Sequence, residues 1–146
     1  MSAAAFAGST DTQTVYYEID AINELVMDSD ITLTVDAATA GSQPTFDFNN
    51  TVTYSITTNE TAGKKITAAI NSNMPSNTSL VANVNAVNGN SVSAGDVTLN
   101  TTAQSTVTSI ETVAGGNAYE LKFYANVAAG LPADFSKVIT WTLADE

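Results

Sequence analysis

Acidic side chains are the residues of this sequence best suited to chemistry, and three of them occur close together. Asp28 and Asp30 are two positions apart, so an extended segment would place both carboxylates on one side, and Asp36 follows the next alternating run. Calcium prefers several oxygen ligands, so these three aspartates are candidates for part of a cation site. The glycine and terminal glutamate of an EF-hand loop are missing. A solvated bend is the alternative interpretation.

Other reaction chemistry finds little support in the sequence. Cysteine and histidine are absent, which removes disulfides, thiolate nucleophiles, haem or zinc ligation by these residues, and a histidine general base. Two carboxylates can hydrolyse glycosides, but nothing in the pattern selects one pair among the 15 acidic residues. We therefore expect a protein that is not an enzyme and that has no cofactor.

Asparagine and aromatic side chains are candidates for contacts outside the chain. Four Asn-x-Ser/Thr sequons occur, a number that chance explains in this composition, and Asn59 and Asn77 are the two that fall in predicted loops. Trp141 and most tyrosines are interpreted as core residues. Aromatic side chains can also form a carbohydrate-binding platform, and Tyr16 and Tyr124 lie on the outward side of their predicted strands, so they are the better candidates for a contact surface.

The charge balance bears on the partners. Four lysines oppose 15 acidic residues, which gives a formal charge of −11. Such a chain repels phosphate, which argues against nucleic acid and against an anionic membrane surface. No apolar run approaches the length of a membrane span, so we expect no membrane insertion.

The elements that would position these residues are short β-strands. Serine and threonine make up about a quarter of the chain, and only 13% of the residues are charged, a composition that favours an exported, all-β surface protein. Alternation of apolar and polar residues predicts strands over 14–22, 31–35, 52–57, 65–70, 80–86, 97–99, 106–110, 119–127 and 137–143. We predict a single-domain antiparallel β-sandwich of Ig-like or jelly-roll style with about eight or nine strands, and a closed barrel is the alternative.

The segments between these strands are predicted as turns. The polar residues 58–64 join what reads as the clearest hairpin of the chain, 52–57 with 65–70. Residues 23–30 are predicted to form a bend with a short apolar patch, and 115–117 and 130–135 to form turns.

The N-terminal region combines a polar leader with an alternating strand. Residues 1–13 are predicted to be a flexible leader and 14–146 the sandwich, with 14–25 as a candidate donor strand. Residues 5–7 have the small-x-small form of a signal-peptidase site, so they are either the remnant of a signal peptide or ordinary terminal residues. Four apolar side chains share one face of the strand: Val15, Tyr17, Ile19 and Ala21.

Both ends of the chain resemble exported fimbrial and filament subunits. The resemblance lies in the polar tail with its alternating strand, 12–22, and in the closing segment 127–132 that leads into the final strand 138–143. Spore-coat-U-like and chaperone–usher pilins end in a similar turn and strand, and archaeal and bacterial donor-strand filament subunits share the Thr/Asn-rich sandwich. The cysteines common in chaperone–usher subunits are missing here, which counts against that subfamily.

What this resemblance implies is donor-strand exchange in an extracellular or cell-surface homopolymer. The N-terminal strand would fill a groove in the next subunit, with Val15, Tyr17, Ile19 and Ala21 as anchors, and a head-to-tail contact that does not close gives a filament. A strand that completes its own sandwich stays an open alternative. So do a monomeric adhesion or carbohydrate-binding module and a cation-binding, for example calcium-binding, surface-layer component.

Overall fold

The computed structural model describes Met1 and residues 8–130 and 135–146. In this part of the chain it contains one 3₁₀ turn, Val127–Ala129, and nine strands. The strands are β1 (Asn23–Met27), β2 (Asp47–Thr58), β3 (Lys64–Ile70), β4 (Thr78–Val84), β5 (Val92–Ser93), β6 (Asp96–Thr98), β7 (Gln104–Ile110), β8 (Val113–Ala125) and β9 (Ile139–Asp145). Two antiparallel sheets pack on each other, which confirms the predicted single-domain β-sandwich.

The strands alternate between the two sheets. One sheet has the order β1-β2-β8-β4-β6 and the other the order β5-β7-β3-β9. From β2 onward each strand lies in the sheet opposite its predecessor, so every connection from there passes from one sheet to the other. At the sheet edges lie β1 and β6 in the larger sheet, and β5 and β9 in the smaller one.

The core lies between the inner faces of the sheets. Along β2, Val52, Tyr54 and Ile56 are buried while the residues between them are exposed, which is the period of two that the sequence predicts. The Tyr54 hydroxyl donates a hydrogen bond to the Asn85 carbonyl oxygen at 2.6 Å. Among the described residues, every buried side-chain nitrogen or oxygen has a hydrogen-bond partner, so polar groups in this core are compensated.

The prediction of a half-buried strand over 14–22 is wrong for the single chain. These residues belong to no strand, and each of them is exposed. The first strand is instead β1, in the stretch predicted as a bend, where Leu25 and Met27 pack against the core. Alternation identifies a face that can be buried, but it does not identify the surface that will bury it. The predicted signal-peptidase pattern, 5–7, lies outside the described residues.

The segment between β2 and β3 is not the predicted hairpin. β2 pairs with β1 and β8, whereas β3 pairs with β7 and β9, so residues 59–63 carry the chain across the sandwich. β2 buries one face and β3 is buried or half-buried at every position, and placing them in opposite sheets lets both pack against the core. A polar turn with one glycine is compatible with either connection.

Residues 31–35 alternate as predicted but do not form a strand. Ile31 and Leu33 are half-buried and pack against the core. The segment follows the antiparallel register of β1 on β2, since Asp28 N donates to Thr53 O at 3.0 Å and Thr34 N donates to an Asp47 carboxylate oxygen at 2.6 Å. Between these points β2 has a bulge, from residue 49 to 52, in its ladder with β8 on the other side.

Residues 115–117 lie inside β8 and are not the predicted turn. They pair with Tyr54, Ser55 and Ile56 of β2. A Cβ on Gly116 would lie 2.3 Å from the Tyr54 carbonyl oxygen, so glycine here permits two backbones to approach closely. The other predicted turn, 130–135, lies mostly outside the described residues.

Candidate functional site

Residues 8–22, here called the arm, project from the sandwich without covering any of it. The anchor side chains on its apolar face are solvent-exposed, with Val15, Tyr17 and Ile19 at 71%, 90% and 78% exposure, and Ala21 is exposed as well. Large apolar side chains normally lie inside a protein or in an interface. The arm therefore presents a regular apolar face that none of the described residues buries.

The base of the arm is held by Asn59, at the end of β2. The Asn59 amide donates to the Asp20 carbonyl oxygen at 2.8 Å and accepts from Ile22 N at 2.8 Å. The Asn59 backbone N–H also donates to Ile22 O at 3.3 Å. These bonds place the base of the arm at the end of the sandwich where β2 leads into β3.

A cluster of charges stands beside this base. The Lys64 ammonium, almost fully buried, donates to Asp145 and lies 2.9 Å from a Glu60 carboxylate oxygen, and the Asn23 amide donates to the same Glu60 carboxylate. The hydrogen bond from Asn23, followed by that from Lys64, lowers the pKa of Glu60, and Lys64 lowers the pKa of Asp145. Hydrogen bonds to Asp145 and then Glu60 raise the pKa of Lys64. The cluster thus joins β1, the β2–β3 connection and the end of β9.

The outer edge of β9 is open. Its ladder with β3 is flanked by the bonds Asn71 N to Val138 O, at 3.0 Å, and Glu146 N to Gly63 O, at 3.2 Å. Since alternate residues of an antiparallel strand point their main-chain groups to the same side, the even-numbered residues bond β3. The N–H and C=O groups of Ile139, Trp141 and Leu143 face away from it, and they have no hydrogen-bond partner in the described residues.

Apolar side chains lie next to this open edge. β1, the outer strand of the larger sheet, lies beside β9 on the same side of the sandwich. Five half-buried side chains there pack against the core, and together with the open edge of β9 we call them the seam: Leu25, Met27, Ile139, Trp141 and Leu143. Unpaired main-chain groups beside apolar side chains form a template on which an extended segment can add a strand.

The predicted cation ligands are not brought together. Asp28 accepts hydrogen bonds from Ser29 N at 2.9 Å and Thr53 N at 3.4 Å, and that from Ser29 is the larger cause of its lowered pKa. Asp30 and Asp36 lie farther along the same exposed segment. Within the described ranges, no three acidic side chains form a group that could hold a metal ion.

The two asparagines predicted as glycan acceptors do lie in loops, and both amides are engaged. Asn59 holds the arm, and the Asn77 amide donates to Ala128 O at 3.2 Å from a backbone with φ of 62°. A glycan on either nitrogen would leave one hydrogen for the existing bond.

The aromatic residues divide between the core and the outer surface. Tyr119 is buried and contacts Trp141 edge-on, with ring centroids 5.5 Å apart, whereas Tyr16 is 91% exposed on the arm. Tyr124 stacks on Phe46, a residue that sequence reasoning did not single out. The alternation of Phe46 with Phe48 was a usable signal, because two aromatics spaced by two positions share one side of an extended chain. No sequence signal could identify β9 as an edge strand.

In comparisons with known proteins, no family model, curated protein or solved structure matches this chain. Within the described residues, no helix has the length and apolar character needed to cross a membrane.

Proposed function

We propose that this protein is a non-enzymatic structural subunit of an extracellular filament, in which the arm of one subunit adds a strand to the seam of the next. The observation that carries the proposal is the exposed apolar face of the arm, with Val15, Tyr17 and Ile19 in solvent. Burying a side chain of this size contributes about 1.5–3 kcal/mol. Three of them, together with new main-chain hydrogen bonds, can offset the cost of ordering the arm.

The base of the arm favours a neighbour over the chain's own seam. β1 follows the arm directly, and Asn59 holds Asp20 and Ile22 in line with it. To reach its own β9, the chain would have to reverse direction within the residues that Asn59 binds. A second copy of the chain meets no such constraint.

Chain direction and length also fit a head-to-tail contact. Asp145 pairs with Lys64 and therefore lies at the end of the sandwich from which the arm leaves, while Ile139 lies at the opposite end. An arm that enters a neighbour from that opposite end runs antiparallel to β9, the more stable arrangement of strands. The anchor stretch 15–21 has as many residues as β9, which has seven.

Such a contact can repeat from one subunit to the next. The surface that donates the strand differs from the surface that accepts it, and a head-to-tail interface of this kind yields an open polymer when its rotation does not close into a ring. Location outside the cell rests on composition, in which hydroxyl and amide side chains are abundant and charges few.

The test is the assembly of the full chain with a charge introduced on one face of the arm. Tyr17→Asp and Ile19→Asp would place a carboxylate on the face that the neighbour buries. We expect electron microscopy and sedimentation to show that filaments are lost, with an unchanged melting temperature, because both side chains are exposed in the single subunit. Tyr16→Asp is the matched control on the opposite face, and it should still assemble.

Two results would contradict the proposal. One is a wild-type chain that stays monomeric at every concentration and salt condition in which it is soluble. The other is equal loss of assembly at positions 16 and 17, which would show that the apolar face of the arm has no special part.

A further inference from the structure

A shallow groove on the outer face of the larger sheet is separate from the arm and the seam. It has a volume of about 330 Å³, and Tyr124 of β8 and Ser79 of β4 are among the residues that form it. Tyr119 and Leu121 of β8 are core residues, and because side chains alternate along a strand, Tyr124 lies on the opposite, outer side. The groove thus opens to solvent rather than to the core.

One wall of the groove continues into an aromatic surface. The ring of Tyr124 stacks on Phe46, with centroids 4.8 Å apart and planes at 28°. Phe48 adjoins Phe46 at 5.9 Å, and these two rings are 48% and 38% exposed respectively. The rings of Phe46 and Phe48 are tilted by 44°, so the apolar face open to a ligand in the groove is that of Tyr124, on which the C–H face of a ring-shaped ligand can stack.

Three amide side chains around the groove each use one of their two polar groups, the oxygen or the NH₂ group, in a hydrogen bond within the chain. The Gln43 amide oxygen accepts from Val127 N at 3.0 Å, and the Asn126 amide oxygen accepts from Ala128 N at 2.9 Å. The Asn77 NH₂ group donates to Ala128 O at 3.2 Å. Two NH₂ groups and one amide oxygen are left, without hydrogen-bond partners among the described residues, for a ligand that can both accept and donate.

None of the described residues that line the groove is charged. A cation or an anion is therefore a poor match for the site. A neutral ligand rich in hydroxyl groups matches the amides, and a ligand with a flat apolar face matches the rings. A carbohydrate has both properties.

We propose that this groove, with its aromatic wall, binds a neutral oligosaccharide. A sugar ring stacks on Tyr124, which Phe46 supports from one side, and its hydroxyl groups bond to the amides of Gln43, Asn77 and Asn126. The site lies on the outer face of the sheet, so it is independent of strand exchange and holds for a monomer or a filament alike.

The experiment measures binding of three neutral probes, maltohexaose, cellohexaose and chitohexaose, to the full chain. Saturation-transfer NMR detects contact and calorimetry measures the dissociation constant. We expect at least one probe to bind, and Tyr124→Ala to weaken its affinity about tenfold or more through lost stacking. Gln43→Ala tests the amides without removing a ring, and Tyr16→Ala is the control for an exposed tyrosine outside the groove. Circular dichroism confirms that each variant is folded.

Three outcomes would overturn the proposal. In the first, none of the three probes binds the folded chain. In the second, Tyr124→Ala and Gln43→Ala bind the probes as tightly as the wild type does. In the third outcome, Tyr124→Ala prevents filament assembly and leaves sugar binding intact, which would make the groove a contact between protein subunits.

Discussion

At the scale of single residues, Tyr54 has an environment that a titration can test. Its ring is buried at the centre of β2, its hydroxyl donates to Asn85 O at 2.6 Å, and burial raises the pKa of Tyr54 to about 12. The neutral phenol is therefore favoured in the folded state, whereas in the unfolded chain it ionises near the ordinary tyrosine pKa of 10.0.

We expect Tyr54→Phe to change the stability of the protein in opposite directions at neutral and alkaline pH. Near neutral pH the variant loses a hydrogen bond and about 1 kcal/mol. Above pH 10 the phenol ionises in the unfolded chain but stays neutral in the folded protein. The wild type therefore loses stability as the pH rises from 10 to about 12, by up to about 3 kcal/mol, and Tyr54→Phe does not. Urea unfolding across this range measures the difference. Tyr16→Phe, at an exposed ring, should leave stability unchanged. If the free energy of unfolding changes with pH equally in the wild type and Tyr54→Phe, this account is refuted.

Gly116 is a second position where one residue determines local packing. The nearest atom to an added Cβ is the Tyr54 carbonyl oxygen, at 2.3 Å, and backbone of the neighbouring strand cannot move aside without breaking the ladder. At Gly115 the nearest atoms are side-chain carbons at 3.8 Å, which is ordinary contact.

We predict that Gly116→Ala destabilises the fold by about 1–3 kcal/mol or more, the cost of forcing extra volume into a packed site. Gly115→Ala, one residue away in the same strand, should cost much less. Thermal unfolding of the two variants gives the comparison, and similar melting temperatures would show that β2 and β8 do not approach as closely as described.

At the scale of elements, the charge cluster at the base of the arm links three segments. Lys64 lies between Glu60 and Asp145, and Asn23 of β1 bonds to Glu60. Both carboxyl pKa values are lowered in the folded state, so the stability that they contribute is present above their ordinary pKa values. It is lost as the pH falls through the lowered values.

Lys64→Met keeps much of the buried volume and removes the cation. We expect this variant to have a lower denaturation midpoint than the wild type at neutral pH, and the difference to shrink as the pH falls below the ordinary carboxyl values. Lys137→Met is the control, because the Lys137 ammonium bonds to Ser72 and to the Asn73 carbonyl and to no described carboxylate. A difference that is constant with pH would mean that packing, not charge, accounts for the effect.

The elements also show what a sequence can and cannot predict about this fold. Alternation predicted strands that overlap β2, β3, β4, β6, β7, β8 and β9. In β2 the pattern matches burial residue by residue, whereas β3 and β4 have no exposed residue. Alternation could not assign partners, so residues 58–64 were predicted to close a hairpin although they join strands of opposite sheets. It also could not separate β1, whose two inward side chains are Leu25 and Met27, from a bend.

Of the two surfaces of the candidate site, the sequence alone predicted the apolar face of the arm and not the seam. The arm's apolar face was visible as alternation at 15–21, since that pattern is local. The open edge of β9 depends on which strands flank it, which is a property of the whole sheet. The amides of Gln43, Asn77 and Asn126 meet only because the loops before β2 and β4 and the end of β8 converge.

At the scale of the whole molecule, net charge should govern assembly. Each chain carries a formal charge of −11, so two copies repel each other at low ionic strength. The Debye length falls from about 30 Å at 0.01 M salt to about 3 Å at 1 M.

We therefore predict that added sodium chloride increases the sedimentable fraction of the wild-type chain. The Tyr17→Asp variant is the control for simple salting-out, and it should stay soluble across the same range. Filaments that dissolve as salt is raised would indicate that attraction between charges, and not burial of the arm, holds the subunits together.

The most direct measurement of the central claim is the thiol reactivity of single cysteines placed along the arm of a chain that has none of its own. In the variants Tyr17→Cys, Glu18→Cys and Ile19→Cys, all three thiols should react rapidly in the unassembled subunit, where these positions are exposed. In assembled material we predict protection at 17 and 19 and continued reactivity at 18, the alternation of a strand with one buried face. Equal reactivity at all three positions in the assembled state would contradict the claim that the arm completes the sheet of a neighbour.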